Sequence, residues 1–104
     1  MDLPHLMTVR EFAQESRISP DHARYLAATG KIQSVKVRSR IAIIPDGFDW
    51  RSVPSIMTVK EAAYVLRVSS DTVDRSNITK YTSAESKRSR FISRIDLQNY
   101  IENQ

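Results

Sequence analysis

Shifted along itself by fifty residues without a gap, the chain matches itself: MTVREFAQESRISPD, beginning at Met7, falls on MTVKEAAYVLRVSSD, beginning at Met57. The register persists downstream, with Arg38-Ser39-Arg40 on Arg88-Ser89-Arg90, Asp46 on Asp96 and Trp50 on the aromatic Tyr100. A repeat of this period constrains the fold more than any single motif, because it predicts one small unit built twice. The spacing places the units at residues 1–50 and 51–104. Chains of about fifty residues lie near the lower limit for independent folding, so the copies are expected to pack together. The join falls near Asp49 to Ser55, and Trp50, Val53, Ile56, Leu97, Tyr100 and Ile101 are the packing candidates between or beneath the copies.

Each copy opens with the same helix-start chemistry. Thr8 is followed three residues later by Glu11, and Thr58 by Glu61, the reciprocal capping box that satisfies free amide donors at a helix start. Val9, Phe12, Ala13 and Ser16 recur at i, i+3, i+4 and i+7, as do Val59, Ala62, Ala63 and Leu66. Each set predicts one apolar helix face turned to the core. Ser19-Pro20-Asp21 then supplies an N-cap hydroxyl, a proline at the first helical position and an acidic first turn. A second helix must therefore start within a few residues of the first, which is a helix-turn-helix. In the first copy it should run to about Thr29 and stop at Gly30. Ala23, Leu26 and Ala27 would face inward, and His22, Arg24, Tyr25 and Ala28 outward.

The period then changes. Ile32, Val35 and Val37, then Ile41, Ile43 and Ile44, flank a polar tip at Arg38-Ser39-Arg40 and predict a short β-hairpin. Its charge is one-sided, with Lys31, Lys36, Arg38 and Arg40 and no acidic residue from Lys31 through Pro45. The second copy answers with Lys80, Lys87, Arg88 and Arg90, opposed only by Glu85. The expected class is α+β, mainly helical, with small basic hairpins set beside tandem helix-turn-helix units as wings. A last helix is expected over residues 95 to 102.

The string T-V-x-E-x-A, an apolar residue, S-P-x-x-A-R-x-L and G-K-I, followed by a basic hairpin, resembles the winged helix-turn-helix domains of phage and plasmid excisionases and of MerR-like regulators. The first copy carries the resemblance over residues 7 to 45. The second carries it through Val73 and again at Arg90-Phe91 and Asp96-Leu97. It departs in the middle, where Ser76 and Asn77 replace the apolar pair Leu26 and Ala27, no Gly-Lys follows, and Ile78 is left as the anchor. The resemblance implies that the second helix of each unit enters the major groove of double-stranded DNA and that the wing touches backbone or minor groove. By position it implies His22, Arg24 and Tyr25, and Thr72, Asp74 and Arg75, as the groove-facing sets. Arginine suits guanine O6 and N7, whereas wing Lys and Arg neutralise phosphates and release counterions. Asp74 suits phosphate poorly, although a carboxylate can accept from cytosine N4; Arg24 and Arg75 outweigh it.

Each residue also has a plainer role. Arg24 can pair with Asp21 on a solvated face, and Tyr25 can pack. Arg17 and Arg67, which persist at the end of the first helix, can approach phosphate or complement the helix dipole, and the dipole role is preferred. His22 has no second ligand candidate nearby, so it is expected to be a surface residue. The wing cations stand apart because Arg-Ser-Arg recurs in register where the surrounding sequence has changed.

Composition narrows the class. The formal charge is +4, and residues 1–52 and 53–104 each carry eight Lys/Arg against six Asp/Glu, which permits a polyanionic partner in either half. Without cysteine, a disulfide framework and thiolate ligation are excluded. Two histidines, His5 and His22, do not make a histidine-rich metal site. No apolar stretch reaches membrane length, and no charged-then-apolar leader is evident, so a cytoplasmic protein, at the nucleoid when bound to DNA, is expected. Neither a glycine-rich phosphate loop nor a nucleophile and base pair is present. The expectation is a non-enzyme without cofactors.

Three functions fit: a sequence-specific DNA-binding transcriptional regulator of phage or mobile-element type, first; an excisionase-like factor that bends DNA and recruits an integrase; and a protein-interaction module in which one or both copies bind another protein, such as a recombinase or another regulatory protein, with the second copy a degenerate, structural partner. Because one chain carries two candidate readers, it needs no symmetric dimer to cover two successive major grooves, which lie about 10 base pairs apart; a monomer suffices, and self-association stays open.

Overall fold

The computed structural model describes residues 3–82 and 90–103. The wing residues Lys87 and Arg88 lie outside the described residues. The first copy runs β1 (Met7–Thr8), α1 (Val9–Ser16), α2 (Pro20–Ala28), β2 (Ser34–Val37) and β3 (Arg40–Ile43). Thr8 closes the expected box, its hydroxyl accepting from the Glu11 amide at 3.1 Å while the Glu11 carboxylate accepts from the Thr8 amide at 2.9 Å. Arg17 ends α1 in the left-handed region at φ 59°. The chain restarts at Ser19, whose hydroxyl accepts from the His22 amide at 3.1 Å. Gly30, at φ 75°, terminates α2. The following hairpin pairs Val35 with Ala42 and Val37 with Arg40 around a two-residue tip, Arg38-Ser39. β1 adds to the outside of β3, giving the antiparallel order β1-β3-β2.

A short 3₁₀ turn, Trp50–Ser52, leads to the second copy: β4 (Ile56–Thr58), α3 (Val59–Leu66), α4 (Ser70–Asp74), β5 (Tyr81–Thr82), β6 (Arg90–Ser93) and α5 (Arg94–Glu102). Its caps duplicate the first set. Thr58 and Glu61 form the box at 3.1 and 3.0 Å, Ser69 accepts from the Thr72 amide at 3.1 Å, and Arg67 ends α3 at φ 58°. The second sheet has the matching order β4-β6-β5. The molecule is thus an α+β chain of five α-helices and two three-stranded antiparallel sheets among its described residues.

The copies part company at three places. α4 has five residues where α2 has nine. With Ser76 in the place of Leu26, its hydroxyl donates to the Val73 carbonyl at 2.6 Å, the local competition that ends helices early; Ile78, 3% exposed, does fill the anchor position. Second, β1 pairs Met7 with Ile43, but β4 pairs Met57 with Ile92, one residue short of the fifty-residue equivalence. The slip places Ile92 rather than Ser93 opposite Met57, and both apolar residues are fully buried. Third, the repeat does not survive β3. Asp46 and Trp50 lie in a turn and a 3₁₀ segment, whereas Asp96 and Tyr100 lie within α5. That helix starts at Ser93, whose hydroxyl accepts from the Asp96 amide at 3.0 Å.

Burial is just as uneven. α3 buries Ala62, Ala63, Val65 and Leu66, while α1 buries only Ala13 and α2 only Ala23. One continuous core joins Leu6, Val35, Val37 and Ala42 of the first half to Val53, Met57, Leu66, Val73, Ile92 and Leu97 of the second. Of the packing candidates at the join, Val53 and Leu97 are buried and Trp50, Tyr100 and Ile101 pack against the core. Ile56 corrects the expectation, being 66% exposed. Its partner in the repeat, Leu6, is the residue that docks, with its amide donating to the Val65 carbonyl of α3 at 2.7 Å. Ser16 is also exposed rather than core-facing. α3, which packs against its own sheet and receives Leu6 of the first copy, carries Leu66 where α1 has Ser16.

Candidate nucleic-acid interface

α2 presents His22, Arg24, Tyr25 and Ala28 outward and turns Ala23 inward, as its spacing predicts. Arg24 pairs with Asp21 at 3.0 Å, with side chains 59% and 95% exposed. A pair so open to water contributes little and readily exchanges Asp21 for another anion. Tyr25 is exposed, and the Lys31 ammonium lies 5.7 Å from its ring centroid, within range of a cation–π contact.

The hairpin tip stands beside this face. Together with the start of α1 and the middle of α2, it bounds a cleft of about 540 Å³ lined by Thr8, Val9, Arg10, Arg24, Ser39, Arg40, Ile41 and the Arg67-Val68-Ser69 edge of the second copy. Among the described residues four arginines and no carboxylate line it. Arg10 was not among the sequence candidates. Its signal lay in the repeat, where position 10 is cationic in both copies, as Arg10 and Lys60.

A second cleft, of about 760 Å³, occupies the same place in the second copy, between Thr58, Val59, Lys60, Asp74, Arg90 and Phe91, with Ser70 and Asp71 beside it. Here Asp74 stands where the first copy has Arg24, and it accepts a hydrogen bond from the Arg90 guanidinium. Arg75 pairs with Asp71 at 3.3 Å. Thr72 is half-buried and its hydroxyl lies 2.8 Å from that of Ser69. Lys80 turns back, its ammonium donating to the Ser76 and Ile78 carbonyls at 2.9 Å each. Desolvation lowers its pKa, and its charge is spent on the carbonyls that follow α4.

Two sequence-selected arginines bridge the copies. Arg38, held at φ 56°, donates to the Arg75 carbonyl at the end of α4 at 3.0 Å. Arg67 does more than complement the α3 dipole, because it reaches across to α1 while lining the first cleft. Its Nε and Nη2 donate to the two Glu11 oxygens at 3.1 and 2.7 Å. That fork, backed by the Thr8 amide, holds the Glu11 carboxyl at about 2, below its ordinary 4.5. Arg17, the counterpart of Arg67, is exposed and has no such partner among the described residues. Lys36 lies on β2, its carbonyl accepting from the Tyr100 hydroxyl at 3.1 Å. Below the second hairpin, Tyr81 and Ser93 donate to the Asp96 carboxylate at 2.7 Å each, which lowers its pKa.

Among the described residues no group of three or more His, Cys, Asp or Glu is placed to hold a metal, and no helix is long and apolar enough to cross a membrane. Comparisons with protein-family models, curated proteins and solved structures give no match.

Proposed function

We propose that the chain is a sequence-specific double-stranded DNA-binding regulator built from two winged helix-turn-helix units, at residues 1–50 and 51–104. α2 enters the major groove and the β2–β3 tip lies along the flanking backbone. One observation carries this role: the outward face of α2, with His22, Arg24 and Tyr25, opens beside a cleft whose charged lining is wholly cationic. Arg24 is placed to exchange its exposed Asp21 partner for a base edge. Arg10 and Arg40, on either side of it, are placed for phosphate, which has no sequence preference. The chain acts without catalysis or cofactor, and its resemblance to excisionases extends the same DNA contact to a recombination site.

Titration of random and selected duplexes at several salt concentrations tests the role. Arg24→Ala should weaken the selected site by about 1 to 3 kcal/mol and relax one of its positions. Arg40→Ala should weaken every duplex and reduce the salt slope by about one unit. A wild-type chain that binds no duplex at low salt would remove DNA from the account. The exposed Ile56 and Ile95, 66% and 68% accessible, would then favour the second reading, a protein-interaction module.

A further inference from the structure

Resting on the DNA-binding role proposed above, we infer that only the first copy reads DNA: its cleft seats a backbone phosphate, and Asp74 closes the matching cleft of the second copy to anions. The two clefts sit at equivalent places and share their frame, Thr8/Thr58, Val9/Val59 and Ile41/Phe91. They differ in charge. The first is lined by Arg10, Arg24, Arg40 and Arg67 without a carboxylate. Among the described residues the second is lined by Lys60 and Arg90 against Asp71 and Asp74, two cations and two anions. Counting the partners outside the clefts narrows the contrast without removing it: Asp21 and Glu11 offset Arg24 and Arg67, Arg75 offsets Asp71, and nothing among the described residues pairs with Arg10 or Arg40, whereas Arg90 is held by Asp74.

The decisive exchange is Arg24 for Asp74. A phosphodiester entering the first cleft meets the guanidiniums of Arg10 and Arg40, which have no partner among the described residues, while Arg24 beside them stays available for a base edge. The same group entering the second cleft must displace Asp74 from Arg90 and then lie beside two carboxylates. The first cleft is also composite. Its far edge is Arg67-Val68-Ser69, and the Arg67–Glu11 bridge fixes that edge against α1. The second copy thus takes part in DNA binding as a brace, and one chain covers one major groove rather than two.

Binding of a random-sequence duplex, followed by anisotropy across a salt series, separates this inference from the broader one. Each phosphate neutralised contributes about 0.9 to the slope of log affinity against log salt. Arg10→Ala and Arg40→Ala should each lower the slope by about one, Lys60→Ala should leave it unchanged, and Asp74→Arg should raise it. Thermal melts of each variant report folding separately. A Lys60→Ala loss equal to that of Arg10→Ala, or an Asp74→Arg variant no different from wild type, overturns the one-reader inference while leaving DNA binding intact. Absence of duplex binding by the wild type overturns both.

Discussion

α1 and α3 begin with the same Thr-x-x-Glu box and end on the same left-handed arginine, yet one is a surface helix and the other the centre of the molecule. α3 buries four side chains and α1 one alanine. Identical caps therefore specify where a helix starts and stops, while the residues between decide what it does. In α3 these include Val65 and Leu66, both fully buried; in α1 the same positions are Glu15 and Ser16, both exposed. The clefts differ in the complementary sense, because the copy with the thin core has the cationic one. On the proposed function, stability falls to the copy with the thick core and recognition to the copy with the cationic cleft.

The largest test of this division lies in the core. Leu66→Ala should destabilise the whole chain by about 2 to 5 kcal/mol, since Leu66 is fully buried in the shared cluster. The matching change, Ser16→Ala, should stay within about 0.5 kcal/mol. Urea denaturation of the pair measures both, and equal effects would break the comparison.

Next comes the bridge. Glu11→Gln keeps an oxygen for the Thr8 amide but removes the charge that Arg67 grips. The pair is about one-third exposed, so solvent screening limits the expected loss to about 1 to 2 kcal/mol. The sign with pH follows from the depressed carboxyl. Its contribution is present in full above about pH 4.5 and disappears as pH falls toward 2. Acid titration of stability should therefore show a steeper limb in the wild type than in Glu11→Gln over that window.

The smallest effect has opposite signs in the two copies. Glycine at a left-handed cap relieves backbone strain, so Arg17→Gly should stabilise by about 0.5 to 1 kcal/mol. Arg67→Gly gains the same relief but loses the Glu11 bridge, and should come out destabilised. Melting temperatures of the two variants that move in the same direction would show that the arginine caps are equivalent after all.

Features governed by local chemistry could be read from the sequence. The capping boxes, Ser19-Pro20, the Gly30 stop and the alternation of Val35 and Val37 each involve residues within a few positions of one another, and helices and hairpin fall where they indicate. The last helix, expected from residue 95, begins one residue earlier at Arg94. What escaped was non-local. Glu11 and Arg67 are 56 positions apart, and each had a sufficient local explanation as cap or dipole partner. Ile56 was assigned to packing because it is apolar, but in a head-to-tail pair only one member of each duplicated position meets the other copy, and Leu6 takes that place. The register slip at Ile92 was hidden by a self-alignment that treats every strand as equally spaced. The charge reversal from Arg24 to Asp74 was visible in the sequence, but its consequence required Arg90 to be placed beside it.

The division of labour is tested most directly by hydroxyl-radical footprinting on a duplex selected from a random pool. At saturating protein and with one chain bound, the first copy alone should protect one patch of backbone sugars, those flanking a single major groove. Two protected patches about 10 base pairs apart, produced by a single bound chain, would mean that both copies read DNA and would contradict the account.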